Sequence, residues 1–173
     1  MDNPQEEKKL SLAAVCLLYK EGKILLAWKT DKIGKDTWNG YGGGIEKGET
    51  IEECALRELK EETGGVIALQ RNLEKIAIVH FYNTMTTGEM FVCVVHFFLI
   101  DKWLGEVYET KEMIHPRWFP IDALPFHEMM PSDKDWLPIA LGGSKIIVHA
   151  YLGPFQKTLL RPTEIEYVAE FPE

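Results

Sequence analysis

Three glutamates, Glu58, Glu61 and Glu62, fall at i, i+3 and i+4 within the run Arg57-Glu58-Leu59-Lys60-Glu61-Glu62. A helix turns once in 3.6 residues, so the three carboxylates project from one face. Like charges at that spacing weaken an isolated helix. A hard divalent cation reverses the sign, because Mg²⁺ takes carboxylate and water oxygens and shares its shell with substrate phosphates. Most charge runs are solvated helix faces. Here the glycines Gly42, Gly43 and Gly44 lie just ahead of the acidic run, where a bare backbone can approach an ion or a phosphate closely. That combination favours a cation site.

The element that must carry these carboxylates is well marked. Thr50-Ile51-Glu52-Glu53 is a capping box, with Thr50 as N-cap and Glu53 able to reach back to its amide. Ile51, Cys54, Ala55 and Leu59 form an apolar stripe, and Gly64 stands where a left-handed C-terminal cap is expected. Arg57 follows Glu53 by four residues and precedes Glu61 by four, so it can brace carboxylates on either side.

Around this helix the chain reads as strands. Leu12–Tyr19 and Lys23–Trp28 are apolar and flank Lys20-Glu21-Gly22, a hairpin signature. Val66–Leu69, Lys75–Tyr82 and Met90–Ile100 read as further strands, with a turn near Thr86-Thr87-Gly88. Trp118-Phe119-Pro120 is a short strand ahead of a helical turn at Ile121–Leu124. Ser132-Asp133 opens a second helix to about Leu141, with Pro138 near its middle as a predicted kink or interruption. Lys145–Tyr151 and Glu164–Glu170 are predicted to close a sheet.

The bulk composition narrows the function classes. At 173 residues, 46% hydrophobic and 27% charged, the chain suits one globular domain over residues 10–173 behind a flexible tail at 1–9. A net charge of -8 argues against a protein that tracks polymeric nucleic acid, which needs Lys and Arg clusters. An acidic protein still binds a triphosphate where a metal mediates the contact. Cys16, Cys54 and Cys93 sit in apolar runs and read as buried reduced thiols, which points to the cytoplasm. Leu10–Tyr19 is too short and too mixed for a membrane span.

The stretch from Gly43 to Gly64 resembles the signature of the Nudix hydrolases, G-x5-E-x7-R-E-U-x-E-E-x-G-U, where U is a bulky apolar residue. Gly43, Glu49, Arg57, Glu58, Leu59, Glu61, Glu62 and Gly64 all fit, while Gly65 departs from the last position and Val66 follows it. Trp38-Asn39-Gly40-Tyr41-Gly42-Gly43 is similar to the approach to this box in the oxidised purine nucleoside triphosphatases, the animal homologues of MutT. The looser pattern from Glu112 through Trp118-Phe119 and Met130-Pro131 to Trp136-Leu137-Pro138 also resembles that subfamily.

The resemblance implies an α/β fold, an α/β/α sandwich with a mixed sheet, and Mg²⁺-dependent pyrophosphohydrolysis in which Mn²⁺ can substitute. Glu58, Glu61, Glu62 and the Gly42 carbonyl would ligate metal. Glu112 would be a further ligand or the general base, with Glu109 as runner-up. Arg57 would orient the carboxylates, and Glu49 would anchor the loop. Gly43 and Gly44 would pass close to the phosphates, with Tyr41 beside them. Asn39 would bond the purine edge near Lys29, and Met90 and Ile78 would line an apolar wall. Met130 stands where the family stacks a Trp on the base, and Ser132-Asp133 stands where it has paired aspartates. Losing one acceptor weakens the case for 8-oxo-purine preference but not for hydrolysis.

A Nudix enzyme acting on ADP-ribose or a nucleotide sugar is the alternative, although Ala77–Thr87 lacks the proline usual in the ADP-ribose subfamily. A non-catalytic nucleotide-binding module would commonly have lost box glutamates, and none is missing. The expected partner is a small nucleotide, with no membrane and a monomeric or homodimeric state.

Overall fold

In the first strand, β1 (Leu12–Lys20), alternate side chains serve two different cores. Ala13 and Leu17 belong to one, while Ala14, Cys16 and Leu18 belong to the other. A strand buried on both faces needs a layer on each side. The computed structural model describes residues 11–172, and the predicted tail at 1–9 lies outside them.

The sequence-predicted hairpin forms between β1 and β2 (Lys23–Lys29), paired at Tyr19↔Ile24 and Lys20↔Lys23. Two short strands follow, β3 (Trp38–Asn39) and β4 (Tyr41–Gly44), before helix α1 (Ile51–Thr63). Then come β5 (Glu74–Thr84), β6 (Met90–Ile100), β7 (Met113–Pro120), α2 (Asp133–Leu141), β8 (Ile146–Leu152) and β9 (Glu164–Tyr167). β6 and α2 match their predicted bounds.

The strands form one mixed sheet in the order β4-β1-β6-β5-β8-β9. Here β1 runs parallel to β6 and β5 parallel to β8, with the other neighbours antiparallel. β3 and β7 flank β2 in a smaller antiparallel sheet that branches off at the hairpin. α1 packs Cys54, Ala55 and Leu59 against Ala14, Cys16 and Leu18. α2 packs Trp136, Leu137 and Ala140 on the opposite face, against Val79, Val148 and Ala150. The result is an α/β/α sandwich.

Three local expectations need revision. Val66–Leu69 is not a strand: Ile67 makes a single bridge to Leu104, and a 3-10 turn follows at Gln70–Asn72. Val66 and Ala68 are buried but Ile67 and Leu69 face water, so local alternation is present without a partner strand to extend it. β7 is longer than predicted, running along β2 from Lys23↔Pro120 to Lys29↔Met113. A bulge between Leu26 and Trp28 faces His115-Pro116, with His115 at φ 52°, so the proline that cannot donate sits out of the ladder. Pro138 does not interrupt α2. Pro138 and Lys134 both lie on its exposed side, so the Lys134 carbonyl that loses its partner is left to water. Among the described residues, no helix is long and apolar enough to cross a membrane.

Candidate active site

Helix α1 is set at both ends by its own sequence. The Thr50 hydroxyl accepts from the Glu53 amide at 3.1 Å, and Gly64 closes the helix at φ 76° with its N–H on the Lys60 carbonyl. Between these caps Arg57 acts as a clamp. Its Nε and Nη2 grip both Glu49 oxygens, at 2.5 and 2.9 Å, and Nη2 also reaches the Gly44 carbonyl at 3.1 Å. Nη1 donates to Glu58 at 2.7 Å and to Glu61 at 3.3 Å. One guanidinium therefore ties the β4 strand end, the following loop and the helix into one unit. The bond to Arg57 holds the Glu49 carboxyl low, at about 2. Sequence spacing pointed to Glu53 as the N-terminal partner; tertiary contact supplies Glu49 instead.

The carboxylates differ sharply in environment. Glu61 is 60% exposed. Glu62 is buried and accepts from the Gly42 amide at 2.9 Å. Burial pushes its carboxyl up to about 7, against the pull of Lys29 and that amide. Glu58 stands over Gly43 so closely that a Cβ there would lie 2.6 Å from its carboxyl. At Gly42 the obstruction is different: a Cβ would lie 2.0 Å from the Ala14 carbonyl oxygen, so strand pairing itself requires a glycine. Burial also pushes Lys29 below its ordinary value, against the opposing influence of Glu62 and Glu112. Glu112, in the loop before β7, pairs with Lys32 at 2.6 Å.

Beside these acids opens a cavity of about 100 Å³, floored by Gly42 and Gly43 and bounded by Lys29 and Asn39. Its walls are apolar, with Phe81, Phe97, Met130 and Trp136 among them, and Asp133 and Asn83 are polar points in its lining. A mostly apolar recess with a few convergent polar groups is the usual form of a small-molecule site. Burial pushes the Asp133 carboxyl up to about 7.

A family model described as the NUDIX domain matches residues 9–139. The chain belongs to the Nudix hydrolases. An oxidized purine nucleoside triphosphate hydrolase of Danio rerio is 39% identical over 75% of this chain and 79% of its own length. A protein of the same name from Mus musculus is 35% identical over 80% of this chain and 84% of its own. Among solved structures, a Mutator MutT protein from Bacillus halodurans superimposes with a TM-score of 0.73 at 22% identity, covering 91% of this chain and 98% of that one. That last likeness bears on the fold alone.

Nudix hydrolases generally need divalent metal ions. The donor set here is of the right kind, all hard oxygen. The hydrogen bond to Glu112, with Glu58 and Glu62 nearby, holds the Lys32 ammonium above its ordinary pKa. Among the described residues, however, no three His, Cys, Asp or Glu side chains converge tightly enough to enclose an ion. Arg57 holds Glu58 and Lys32 holds Glu112, so ligation requires those side chains to turn.

The Nudix framework brings some expected residues together and separates others. Lys29, Asn39, Gly42, Gly43, Met130 and Asp133 share the cavity. Tyr41 does not join them. It pairs with Cys16 and lies fully buried in the core under α1, because strand alternation turns it to the opposite face from Gly42. Gly44 spends its carbonyl on Arg57 and stays out of the lining. Ser132 is fully buried but turned away from the cavity, which Asp133 reaches one residue later. Met90 is 60% exposed, and Ile78 lies on the sheet face opposite Phe81. Neither forms the apolar wall.

Phe81, Phe97, Met129 and Asn83 take that place, and sequence reasoning missed them. For Asn83 a signal existed: it continues the inward series Val79, Phe81, a polar residue in phase with apolar ones.

Proposed function

We propose that this protein is a Mg²⁺-dependent nucleoside triphosphate pyrophosphohydrolase, releasing monophosphate and pyrophosphate and acting on oxidised purine nucleotides such as 8-oxo-dGTP. The observation that carries this reading is an apolar recess lined in part by Gly42 and Gly43, the glycines that lie against Glu62 and Glu58 of α1. Apolar walls suit a base, and hard carboxylate oxygens suit the cation that would accompany a triphosphate. The names of the two relatives support the choice of substrate.

Glu58, Glu61 and Glu62 would hold the ion with the Gly42 carbonyl, and Glu112 would serve as a further ligand or as the base. Such an ion, when bound, would supply neutralisation of phosphoryl oxygens and a lowered pKa for an attacking water. Arg57 keeps the α1 carboxylates in register with the glycine strand through its bonds to Glu49 and Gly44. Gly43 leaves Glu58 the room it needs. Lys29 lies at the acidic end of the cavity, where a phosphate would meet it. Asn39, Met130 and Asp133 would meet the base. Three buried, unpaired cysteines suit a reducing compartment, so we assign the protein to the cytoplasm. It would act as a monomer or homodimer on free nucleotides, not on nucleic-acid chains or membranes.

The deciding experiment measures pyrophosphate and phosphate release with Mg²⁺ from 8-oxo-dGTP, 2-oxo-dATP, the normal dNTPs, ADP-ribose and a nucleotide sugar. Pyrophosphate from an oxidised purine at much higher kcat/KM than from dGTP is expected. Activity confined to ADP-ribose or the sugar would overturn the substrate assignment and leave the metal helix standing.

A further inference from the structure

Asn83 is a polar group in the cavity wall that the mechanism above leaves without a role. It closes the inward series of β5 after Val79 and Phe81, and it is 2% exposed. Its Nδ2 donates to the Phe81 carbonyl at 3.1 Å. A carbonyl accepts only a donor, so this bond orients the amide and leaves Oδ1 as its free end. Oδ1 is buried without a hydrogen-bond partner.

An acceptor kept unpaired in an apolar interior is destabilising, and native structures retain few of them. Its neighbours in the wall offer no relief: Phe81 and Met130 carry no donor, and the Cys93 thiol and Gln156 amide, which could donate, make no hydrogen bond to it. Among the described residues, the other cavity-lining side chain with an unpaired buried polar atom is Trp136, at Nε1. The Asp133 carboxyl lies beside that indole and offsets its dipole. Asn39 differs again, since its Nδ2 is directed to Thr37 Oγ1 at 2.6 Å within its own turn. Asn83 therefore stands out as an acceptor fixed in orientation and already desolvated at the cavity wall.

We propose that Asn83 is a specificity-determining residue whose Oδ1 accepts a hydrogen bond from the 2-amino group or an N7–H of a purine base seated in this cavity. The inference rests on the nucleotide reading above and deepens it. A base carrying the donor satisfies the amide; a base lacking it leaves the acceptor unpaired. Sites built this way reject the analogue without the donor far more strongly than an apolar pocket rejects a change of shape.

Calorimetric titration of the full chain with deoxynucleoside monophosphates tests this without turnover. Matched pairs isolate one donor each: dGMP against dIMP for the 2-amino group, 8-oxo-dGMP against dGMP for N7–H. In at least one pair the donor-bearing member should bind about tenfold tighter or more, and Asn83→Leu should bring the two affinities within about twofold of each other. Asn83→Ser, too short to reach, should do the same and serves if the leucine variant fails to fold by circular dichroism. Equal affinities within both wild-type pairs, no binding at all, or a ratio that survives both substitutions would overturn the proposal. Failure of triphosphate hydrolysis with the binding ratio intact would count instead against the hydrolytic reading and leave Asn83 as a base reader.

Discussion

Glu61 and Glu62 are adjacent in sequence yet live in opposite environments, and that contrast governs what substitution does at each. Glu61 is largely exposed and bonded only through the edge of the Arg57 guanidinium. Glu61→Gln should therefore leave the melting temperature nearly unchanged, within about 0.5 kcal/mol of stability. Turnover should fall by about 100-fold or more, since a metal ligand would be lost. Near-wild-type kcat would remove Glu61 from the metal set. Asp133 shows the other case. Its folded-state carboxyl is raised to about 7 by burial, above the unfolded value. Between about pH 4 and pH 7 the folded state then keeps a proton that the unfolded chain has released, so stability falls as pH rises through that window. Asp133→Asn removes this contribution. Melting curves from pH 4 to 8 should show a flatter decline for the variant, and parallel profiles would refute the assignment.

At the scale of elements, the glycine strand and the acidic helix form one device, joined by Arg57. β4 brings two neighbouring glycines against different obstacles, backbone at Gly42 and the tip of a flexible side chain at Gly43. Gly42→Ala must push apart the β1–β4 ladder and should destabilise the fold by about 3 kcal/mol or more. Gly43→Ala need only displace the Glu58 carboxyl, so the protein should fold with a small loss of stability but lose most of its activity. Thermal melts paired with turnover on each variant separate the two. Similar melting temperatures for both would mean that the strand gives way more easily than its register implies.

Seen whole, the molecule places its two helices on opposite faces of one sheet, and the cavity lies where β1, β5 and β6 meet α2. The acidic face of α1 and the apolar recess under α2 thus lie on either side of the β4 glycines. A catalyst assembled this way depends on a bound cation, because carboxylates alone repel a triphosphate. EDTA should abolish hydrolysis and added Mg²⁺ should restore it, with little change in far-ultraviolet circular dichroism. Hydrolysis that persists after chelation would contradict the mechanism.

Much of this architecture was legible in the chain. Capping residues, helical spacing and glycine placement are local signals, so α1, its carboxylates and the Gly42-Gly43 floor could be read directly, as could the hairpin and α2. The Nudix signature lies in that same local stretch, while the family match extends over residues 9–139. Non-local contacts were not legible. The partner of Arg57 is Glu49 rather than Glu53 because a loop folds back on the helix. Tyr41 and Ser132 leave the cavity because a one-residue step on a strand or at a helix start turns a side chain to the other side. Phe81, Asn83 and Phe97 reach it from strands paired across the sheet, where register decides which residues converge. By itself the sequence determined the acidic helix α1, since its spacing and caps act within a few residues. Only the tertiary structure decided which side chains line the cavity, because that depends on which faces of distant strands are pressed together.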